Sequence, residues 1–354
     1  MKRKMLFSNR MYYEIISSCN LSCKHCSDLL SGQVEMLEVD EILNFHNKIS
    51  ELGILDSVVT GGEPTLHPRF KEIVFGLSEY GNVVITTNAT AISYEMVKEI
   101  LNYNKNIHIQ ISLDGLSRET FEKIRGKGQY DKVIAIINQI IHDGLQKQLA
   151  FSMTIMKDNY SEVGGLIDFA SKNGIRVVHF PQLLPIGNAK KNWEDIAPDC
   201  AEQICIENDF LKRMSEDKEP LEISCNRLNQ IAARWENPEK ASCLSNMVLK
   251  VVPNGDILPC PSASNCEYRV ENIRHIKDAE ELYEACLRKN TELVSLITQN
   301  SLCDKNCTCF EECRGEFCSN CMLLGSPQEN TFTYECTVRK RHFEEIRKEI
   351  KEEI

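Results

Sequence analysis

The chain has 354 residues, of which 42% are hydrophobic and 26% are charged, a composition typical of a globular protein with one large domain and a smaller one. No run approaches the roughly 18 apolar residues that cross a bilayer, and the basic start lacks the apolar core of a signal peptide, so we expect a cytoplasmic protein without a membrane partner. The net charge of -11 argues against nucleic acid as a partner. Seventeen cysteines in that compartment indicate metal or redox chemistry, because structural disulfides are rare there.

The region before residue 200 alternates apolar strand candidates with helical stretches. Strands are predicted over residues 12–17, 55–60, 82–87, 107–113, 149–156 and 175–180. Apolar residues recur at helical spacing in the segments 39–52 and 130–141 between them. Repeated strand–helix units of about thirty residues predict a parallel sheet, as a doubly wound sheet or as a barrel. In both architectures chemistry gathers at the carboxyl ends of the strands.

Three cysteines stand in the short stretch CNLSCKHC, directly after the first strand candidate: Cys19, Cys23 and Cys26. A structural zinc site needs four Cys or His ligands that close a tetrahedron. This stretch has no second cysteine pair, and His25 is adjacent in the chain to Cys26, which is a poor geometry for two ligands of one small ion. The three thiolates therefore leave one coordination position open, and we do not count His25 as a ligand.

The Cys-x3-Cys-x2-Cys spacing after a first strand resembles the cysteine loop of the radical S-adenosylmethionine (SAM) enzymes. Family-like motifs follow the next strands in the family order: TGGEP (60–64), TTNA (86–89), SLDG (112–115) and RGKGQYDKV (125–133). The resemblance implies an α/β fold with a partial (βα)6 TIM-like barrel. It also implies that the three thiolates hold three irons of a [4Fe-4S] cluster and that SAM binds the fourth iron.

The same resemblance implies a set of SAM contacts: Gly61, Gly62, Glu63, Pro64, Asn88, Ser112, Asp114 and Arg125. Gly61 and Gly62 allow close backbone approach and would contact the methionyl amino group beside Glu63, while Ser112 and Arg125 would hold the carboxylate. Residues in the positions of Asn88 and Asp114 are more often strand-end caps than ligands. LPIGNA, residues 184–189, either matches the exit of the family's sixth strand or is an ordinary Pro-Gly turn.

The later cysteines carry a second resemblance, to the SPASM domain that binds auxiliary iron–sulfur clusters. Cys243, Gly255 and Cys260 reproduce its spacing, whereas the run from Cys303 to Cys318 contains two one-residue insertions relative to the family. Two fully ligated four-iron clusters need eight thiolates, and eight candidates are present. They are Cys243, Cys260, Cys303, Cys307, Cys313, Cys318, Cys321 and Cys336.

The eight candidates divide into two auxiliary clusters. We assign Cys303, Cys307, Cys313 and Cys336 to one cluster, and Cys243, Cys260, Cys318 and either Cys321 or Cys266 to the other. The remaining cysteines are expected to be buried free thiols. A zinc-ribbon-like domain is the alternative for the whole group, because cysteine spacing alone rarely separates zinc from iron–sulfur sites.

These patterns divide the chain into four segments. We expect a radical SAM partial barrel over residues 1–195, a helical linker over 196–240, a small cysteine-rich SPASM-like domain over 241–338 and a charged helix over 339–354. Opposite charges four residues apart in the last segment are typical of a solvated helix, to which we assign no chemistry.

The resemblance implies reductive cleavage of SAM to a 5'-deoxyadenosyl radical, which takes a hydrogen atom from a peptide or protein substrate in a crosslink, a side-chain oxidation or an epimerisation. Low cluster potentials imply a flavodoxin or ferredoxin as electron donor. Because the first strand begins near Tyr12, without room for a leader-binding domain, we expect either that a separate leader-recognition protein supplies this function or that the second domain captures the substrate. The alternatives are a sulfatase-maturase-like enzyme, a small-molecule (heme-precursor) radical SAM enzyme, and a non-enzymatic iron–sulfur or zinc-binding module. We assign no catalytic residue.

Overall fold

The computed structural model describes residues 7–27, 33–215, 221–236, 247–263, 266–299, 302–314 and 329–352. Cys243, Cys318 and Cys321, three of the predicted cluster ligands, lie outside the described residues. Among the described helices, none is long and apolar enough to cross a membrane.

A single mixed sheet organises the described chain, with ten strands in the order β10-β9-β8-β1-β2-β3-β4-β5-β6-β7. The strands are β1 (Arg10–Glu14), β2 (Asp56–Thr60), β3 (Val83–Thr87), β4 (Ile107–Ser112), β5 (Leu149–Ser152), β6 (Val177–Phe180), β7 (Glu222–Cys225), β8 (Lys250–Val251), β9 (Asp256–Leu258) and β10 (Glu271–Asn272). Strands β1 to β7 pair in parallel with their neighbours. This parallel α/β sheet confirms the predicted fold class.

Thirteen helices connect and cover the strands in the described residues. They are α1 (Val39–Ile49), α2 (Phe70–Ser78), α3 (Tyr94–Tyr103), α4 (Arg118–Arg125), α5 (Tyr130–His142), α6 (Val163–Lys172), α7 (Gly187–Lys191), α8 (Trp193–Ile196), α9 (Cys200–Ser215), α10 (Asn226–Glu236), α11 (Ala279–Gln299), α12 (Phe310–Cys313) and α13 (Glu329–Glu352). The two helices predicted from apolar spacing, α1 and α5, bury those apolar residues against the sheet.

The two faces of the sheet differ in polarity, as alternation along β4 illustrates. Ile107, Ile109 and Ile111 are buried in the main apolar core, whereas His108 and Gln110 on the other face are partly exposed. Successive side chains of a strand point to opposite faces, so one face packs against helices and the other carries polar groups. The carboxyl ends of β1 to β7 meet at one edge of this sheet, where the predicted motifs lie.

The segment 196–240, predicted as a helical linker, contains more than helices. Helices α9 and α10 flank β7, which pairs in parallel with β6 and extends the barrel sheet by one strand. The apolar alternation of β7 is only four residues long, too short to separate from loop by sequence pattern. The linker is therefore part of the sheet.

The cysteine-rich part of the chain joins the sheet on its opposite side. Strand β8 pairs in parallel with β1, aligning Lys250 with Tyr12, and β9 and β10 add to it in antiparallel fashion. The Lys250 Nζ lies 2.7 Å from the Glu14 Oε1, so this junction carries a largely buried ion pair. The sheet thus runs without a break from the predicted barrel into the predicted SPASM-like segment.

The C-terminal helix corrects the expectation of a solvated charged helix. Helix α13 begins at Glu329, ten residues before the predicted start, and buries one face that includes Glu335, Arg339 and His342. The charge pattern is misleading because these charged groups pair with buried partners on α9 and α10 instead of facing water.

Candidate active site

The three-cysteine loop leaves the carboxyl end of β1 and returns along the same edge. Its first residues are held against β2, since the Ile15 N–H donates to the Thr60 carbonyl, and its return is held by a Leu37 N–H bond to the Ile15 carbonyl. Cys19, Cys23 and Cys26 are partly buried free thiols on this loop. The structure therefore places all three at the edge where the strands end.

A loop after β6 binds the backbone of the cysteine loop from the other side. The Asn188 N–H donates to the Cys26 carbonyl at 2.9 Å, and the Asn188 Nδ2 donates to the Cys23 carbonyl at 3.2 Å. Gly187 has a φ of +56°, and a Cβ there would lie 2.3 Å from the Ser27 carbonyl oxygen. LPIGNA is thus a contact to the cysteine loop and not only a turn, which the sequence left open.

The paired glycines after β2 approach the cysteine loop backbone directly. The Gly62 N–H donates to the Ile16 carbonyl at 2.8 Å, and a Cβ at Gly62 would lie 2.3 Å from the Ser18 carbonyl oxygen. A Cβ at Gly61 would lie 2.4 Å from the Ile16 carbonyl oxygen. A side chain at either position would clash with the backbone of the cysteine loop. The packing of the two loops by itself therefore requires glycine at both positions.

Glu63 is a buried carboxylate that ties together three segments of this edge. Its Oε1 accepts from the Thr87 hydroxyl at 2.6 Å and from the Thr65 hydroxyl at 2.7 Å, and its Oε2 accepts from the Asn88 N–H at 2.8 Å. Pro64 begins a short 3-10 turn immediately afterwards. Glu63 therefore fixes the exit of β3 relative to that of β2.

Asn88 lies beside the first cysteine. Its Nδ2 donates to the Asn20 Oδ1 at 3.0 Å and approaches the Cys19 Sγ at 3.9 Å, while its Oδ1 accepts from the Thr90 N–H and hydroxyl. Asn88 is therefore a turn cap that also lies next to a candidate cluster ligand, and its contact with SAM stays a prediction.

Asp114 and Arg125 form a buried ion pair next to the other two cysteines. The Arg125 Nε lies 2.7 Å from the Asp114 Oδ2, and the His25 Nε2 lies 3.3 Å from the same oxygen. Burial alone lowers the pKa of Arg125, but the charges of Asp114, Cys23 and Cys26 outweigh burial and raise it. Arg125 is thus a permanent cation within electrostatic reach of two thiols. Ser112 ends β4 on the partly exposed face of the sheet.

Four C-terminal cysteines gather in a second group formed by α12, α13 and the turn before α12. Burial raises the pKa of the Cys303 thiol to about 11, and the neighbouring Cys313, Cys307 and Cys336 thiols add to the increase. The pKa of Cys336 is likewise raised by burial and by Cys307 and Cys313. The four thiols therefore lie within electrostatic reach of one another, and their sharing of one auxiliary cluster stays a prediction.

The other predicted auxiliary ligands are only partly described. Cys260 follows β9 and acts electrostatically on Tyr12 of β1, so it stands near the barrel. Cys266 is exposed and hydrogen-bonds Asp256. Of the cysteines expected to be buried free thiols, Cys225, Cys286 and Cys309 are buried and Cys205 is exposed.

The donor set fits an iron–sulfur cluster by its chemistry. Thiolates are the ligands that iron–sulfur clusters use, and the Arg125 cation beside Cys23 and Cys26 suits a negatively charged thiolate-bound group. In the parts of the chain that the structure describes, no three His, Cys, Asp or Glu side chains form a group that could hold a metal ion. A four-iron cluster is wider than one ion, so its thiolates stand further apart than the ligands of a single zinc.

Comparison with known families decides the identity of the first segment. Residues 13–170 match the radical SAM superfamily. This segment is a radical SAM domain. Members of the superfamily bind SAM and a [4Fe-4S] cluster, and the radical SAM domain here contains both the three-cysteine loop and every SAM contact predicted from sequence.

Curated relatives extend the similarity beyond the radical SAM domain. Mycofactocin maturase MftC of Mycolicibacterium smegmatis is 23% identical over 320 residues, covering 89% of this chain and 79% of the relative. A probable GTP 3',8-cyclase of Saccharolobus islandicus is 27% identical over 277 residues, covering 73% of this chain and 83% of the relative.

Solved structures share the fold of the chain. anSMEcpe with bound AdoMet and the Cp18Cys peptide has a TM-score of 0.66 at 17% identity and covers 94% of this chain and 95% of its own. SuiB of Streptococcus suis bound to the precursor peptide SuiA has a TM-score of 0.61 at 19% identity, covering 73% of this chain. The match spans 60% of SuiB, less than two thirds of that protein.

The site also contains residues that the sequence analysis missed. Asn20, Thr87 and Asn192 support the cysteine loop or its neighbours; the Asn192 Nδ2, for example, donates to the Lys24 carbonyl at 3.1 Å. Polar residues just after predicted strands were the available signal, but their partners lie up to 168 residues away in the chain. Spacing within one loop does not contain that information.

Proposed function

We propose that this protein is a radical SAM enzyme that takes a hydrogen atom from a peptide or protein substrate. The observation that carries the proposal is the convergence of the three-cysteine loop, Asn88 and Arg125 at one sheet edge of a radical SAM domain. A maturase relative and two structural neighbours with bound peptides support a peptide as the substrate.

Within this proposal the residues of the edge have distinct roles. Cys19, Cys23 and Cys26 are the cluster ligands, and Gly61, Gly62, Glu63, Pro64, Asn88, Ser112, Asp114 and Arg125 form or support the SAM site. The chemistry supplied by a bound cluster and SAM is reductive cleavage to a 5'-deoxyadenosyl radical, which abstracts the substrate hydrogen. Asp114 orients Arg125 beside Cys23 and Cys26, and the β6 exit loop fixes the cysteine loop backbone.

The C-terminal thiols complete the proposal as holders of two auxiliary clusters. Cys303, Cys307, Cys313 and Cys336, which lie close together, take one cluster. Cys243, Cys260, Cys318 and either Cys321 or Cys266 take the other. Fully ligated clusters leave no iron open for SAM, so their role is to accept the electron that the substrate loses or to bind the substrate.

The enzyme needs a partner that delivers one electron at low potential, and a flavodoxin or ferredoxin meets that need. We include a separate leader-recognition protein in the proposal. Its test is the addition of candidate partners to the purified enzyme and peptide, with an increased rate of modification as the expected result.

A small-molecule substrate is the second candidate, favoured by the similarity to a probable GTP 3',8-cyclase. Both candidate functions use the radical SAM domain. They differ in whether a peptide or a small molecule binds against the polar face of the sheet. Co-expression with short reading frames that flank the gene, followed by mass spectrometry, separates them: a mass change in a flanking peptide supports the first candidate, and unmodified peptides contradict it.

The assignment of the three-cysteine loop to the SAM-binding cluster is tested by Cys26→Ser in anaerobically reconstituted, reduced enzyme. We expect 5'-deoxyadenosine formation to be abolished, because one ligand of the SAM-binding cluster is lost, while circular dichroism stays unchanged. Cys205→Ser, on an exposed thiol of α9, is the matched control and should cleave SAM at the wild-type rate. A Cys26→Ser enzyme that cleaves SAM normally would contradict the ligand assignment.

Cys313→Ala tests the proposal that the C-terminal thiols hold an auxiliary cluster that accepts an electron from the substrate. This change removes a ligand of the C-terminal group, so we expect a soluble variant to cleave SAM without substrate but to leave the peptide unmodified. Metal binding and folding are coupled in small cysteine-rich domains, and a compact variant by gel filtration is therefore required. Full peptide modification by that variant would disprove an electron-accepting role and favour a structural site.

A further inference from the structure

The Asn88 side chain is held in a closed ring of hydrogen bonds with Thr90 and Asn20. Its Oδ1 accepts from the Thr90 N–H at 2.8 Å and from the Thr90 hydroxyl at 2.6 Å. Its Nδ2 donates to the Asn20 Oδ1 at 3.0 Å, and the Asn20 Nδ2 donates to the Thr90 hydroxyl oxygen at 2.8 Å. Because the Oδ1 receives two donors, the partners of the Asn88 amide determine its orientation.

This ring leaves one N–H of Asn88 for the first cysteine of the loop. A primary amide nitrogen carries two hydrogens, and the Asn20 Oδ1 accepts one of them. The other is donated to the Cys19 Sγ, which lies 3.9 Å from the Asn88 Nδ2. The same sulfur accepts from the Leu21 N–H at 3.4 Å. Cys19 therefore has one N–H donor from its own loop and one from the exit of β3.

Burial makes these donors important for the charged form of Cys19. Burial raises the pKa of the Cys19 thiol and the Glu63 carboxylate adds to the increase, whereas the Leu21 and Asn88 N–H donors lower it. Asn88 itself is only 6% exposed, so water competes little for its N–H. A hydrogen bond in such a low-dielectric position is electrostatically stronger than in water. The two donors thus stabilise the thiolate, which is the form that binds iron.

A hydrogen bond to a thiolate ligand also changes the redox behaviour of a bound cluster. Hydrogen bonds to the sulfur atoms are among the factors that set the reduction potential of iron–sulfur clusters. Reduction adds negative charge that the thiolates share, so an N–H donor stabilises the reduced form more than the oxidised form. Removal of such a donor therefore lowers the reduction potential.

We propose that Asn88 is a positioning residue of the SAM-binding cluster, whose amide N–H bonds to the Cys19 thiolate and raises the reduction potential of that cluster. This action on the cluster is distinct from the contact with SAM predicted from sequence. The proposal rests on one part of the proposed function, the three-cysteine loop as cluster ligand, and not on a peptide substrate. Normal SAM cleavage by Cys26→Ser would overturn both, whereas a potential that is independent of Asn88 would overturn this proposal alone.

The test is a redox titration of anaerobic, cluster-loaded enzyme without SAM, followed by electron paramagnetic resonance. The SAM-binding cluster is identified as the reduced cluster whose signal changes when SAM is added afterwards. We expect Asn88→Ser to make reduction of this cluster about threefold less favourable, a decrease of about 28 mV for a one-electron couple. A serine hydroxyl can still cap the turn at Thr90, but it is too short to reach Cys19. The iron content should equal that of the wild type.

Further variants separate the bond to Cys19 from the packing of the ring. Asn20→Ser breaks the same ring but leaves the Asn88 amide beside Cys19, so we expect a smaller decrease in potential. Asn102→Ser, at an exposed position of α3, is the matched control and should leave the potential unchanged. Asn88→Thr, which also keeps a hydroxyl for the turn, is the second variant if Asn88→Ser loads less iron, and the same decrease is expected.

Three results would overturn the proposal. The first is an unchanged potential in an iron-loaded Asn88 variant. The second is an equal decrease in Asn20→Ser and Asn88→Ser, which would assign the effect to the packing of the loop. The third is weaker SAM binding by Asn88→Ser in equilibrium dialysis with an unchanged SAM-free potential, which would establish the SAM contact and refute the action on the cluster.

Discussion

At the scale of single residues, Glu63 shows how a motif residue acts through its neighbours. The sequence placed it beside the SAM amino group, whereas the structure shows its carboxylate accepting bonds from Thr87, Asn88 and Thr65. Those bonds order the exits of β2 and β3, which form the walls of the proposed SAM site.

Glu63→Gln is therefore predicted to affect both stability and SAM binding. An amide cannot accept all of these bonds with its nitrogen, so buried donors lose a partner and the free energy of unfolding should fall by about 1–3 kcal/mol. Denaturant titration and SAM equilibrium dialysis provide the measurements. Glu72→Gln, on an exposed ion pair with Arg69, is the control and should change neither; an unchanged stability in Glu63→Gln would contradict the network.

His46 is a second residue whose burial has a measurable consequence. It lies on α1 in the core, fully buried, with its Nδ1 2.9 Å from the Tyr13 hydroxyl and the Tyr80 ring packed edge-on against it. Burial lowers the pKa of His46 from 6.5 to about 4. The folded protein thus favours the neutral imidazole.

This lowered pKa predicts a pH dependence of stability. Below pH 6.5 the unfolded chain takes up a proton that the folded chain refuses, so the free energy of unfolding falls as pH decreases from 6.5 to about 4, by up to about 3 kcal/mol. Above pH 6.5 this contribution is constant. His46→Gln stays neutral and should show a shallower decrease in denaturant titrations over the same pH range; parallel curves for the two proteins would show that His46 is not the group responsible.

At the scale of elements, α13 is joined to α9 and α10 by a buried network of charges. Arg227 of α10 pairs with Glu335 of α13 and with Glu207 of α9, and the His342 Nε2 lies 2.7 Å from the Glu207 Oε2. Glu335 is adjacent in the chain to Cys336, a member of the C-terminal thiol group. The network therefore fixes the position of the part of α13 that contains Cys336.

Arg227→Met should disrupt this element. Two buried carboxylates lose their shared cation, and removal of one partner from a buried pair typically costs about 3–5 kcal/mol. We expect a lower free energy of unfolding and fewer irons per chain, measured by denaturant titration and iron analysis, with SAM cleavage retained in the folded fraction. Arg118→Met, which breaks an exposed pair with Asp131, should leave the iron content unchanged; equal iron content in both variants would disprove the link to Cys336.

At the scale of the whole molecule, one sheet connects the radical SAM domain to the C-terminal cysteines. Strand β1 pairs with β2 on one side and with β8 on the other, and the three-cysteine loop leaves its carboxyl end. The same sheet therefore supports both the three-cysteine loop and the C-terminal segment that contains the second group of thiols.

Iron content tests this arrangement. Three four-iron clusters predict about twelve irons per chain after anaerobic reconstitution, and replacing Cys19, Cys23 and Cys26 together by Ala should leave about eight. Cys205→Ala should retain about twelve. A wild-type protein with about four irons and bound zinc would refute the three-cluster hypothesis and support a zinc-ribbon-like C-terminal domain.

Local patterns of the sequence were sufficient for much of the fold. All six predicted barrel strands form, with ends shifted by a few residues, because runs such as that in β4 alternate buried and partly exposed side chains. The strand β7 and the buried face of α13 were not predicted. Neither feature can be recognised without partners distant in the chain, such as Arg227 for Glu335 and Glu207 for His342.

The sequence by itself determined the chemistry that this protein offers: three thiols in one short loop, and strand-end motifs in the order of a radical SAM domain. Spacing along the chain is sufficient for this, since the ligands of the loop are separated by only a few residues. The tertiary structure alone decided that the Asn188 loop holds the cysteine backbone and that Arg125 stands beside Cys23 and Cys26. Burial and pairing between distant segments are properties of the folded chain, because they depend on which segments the sheet brings to one edge.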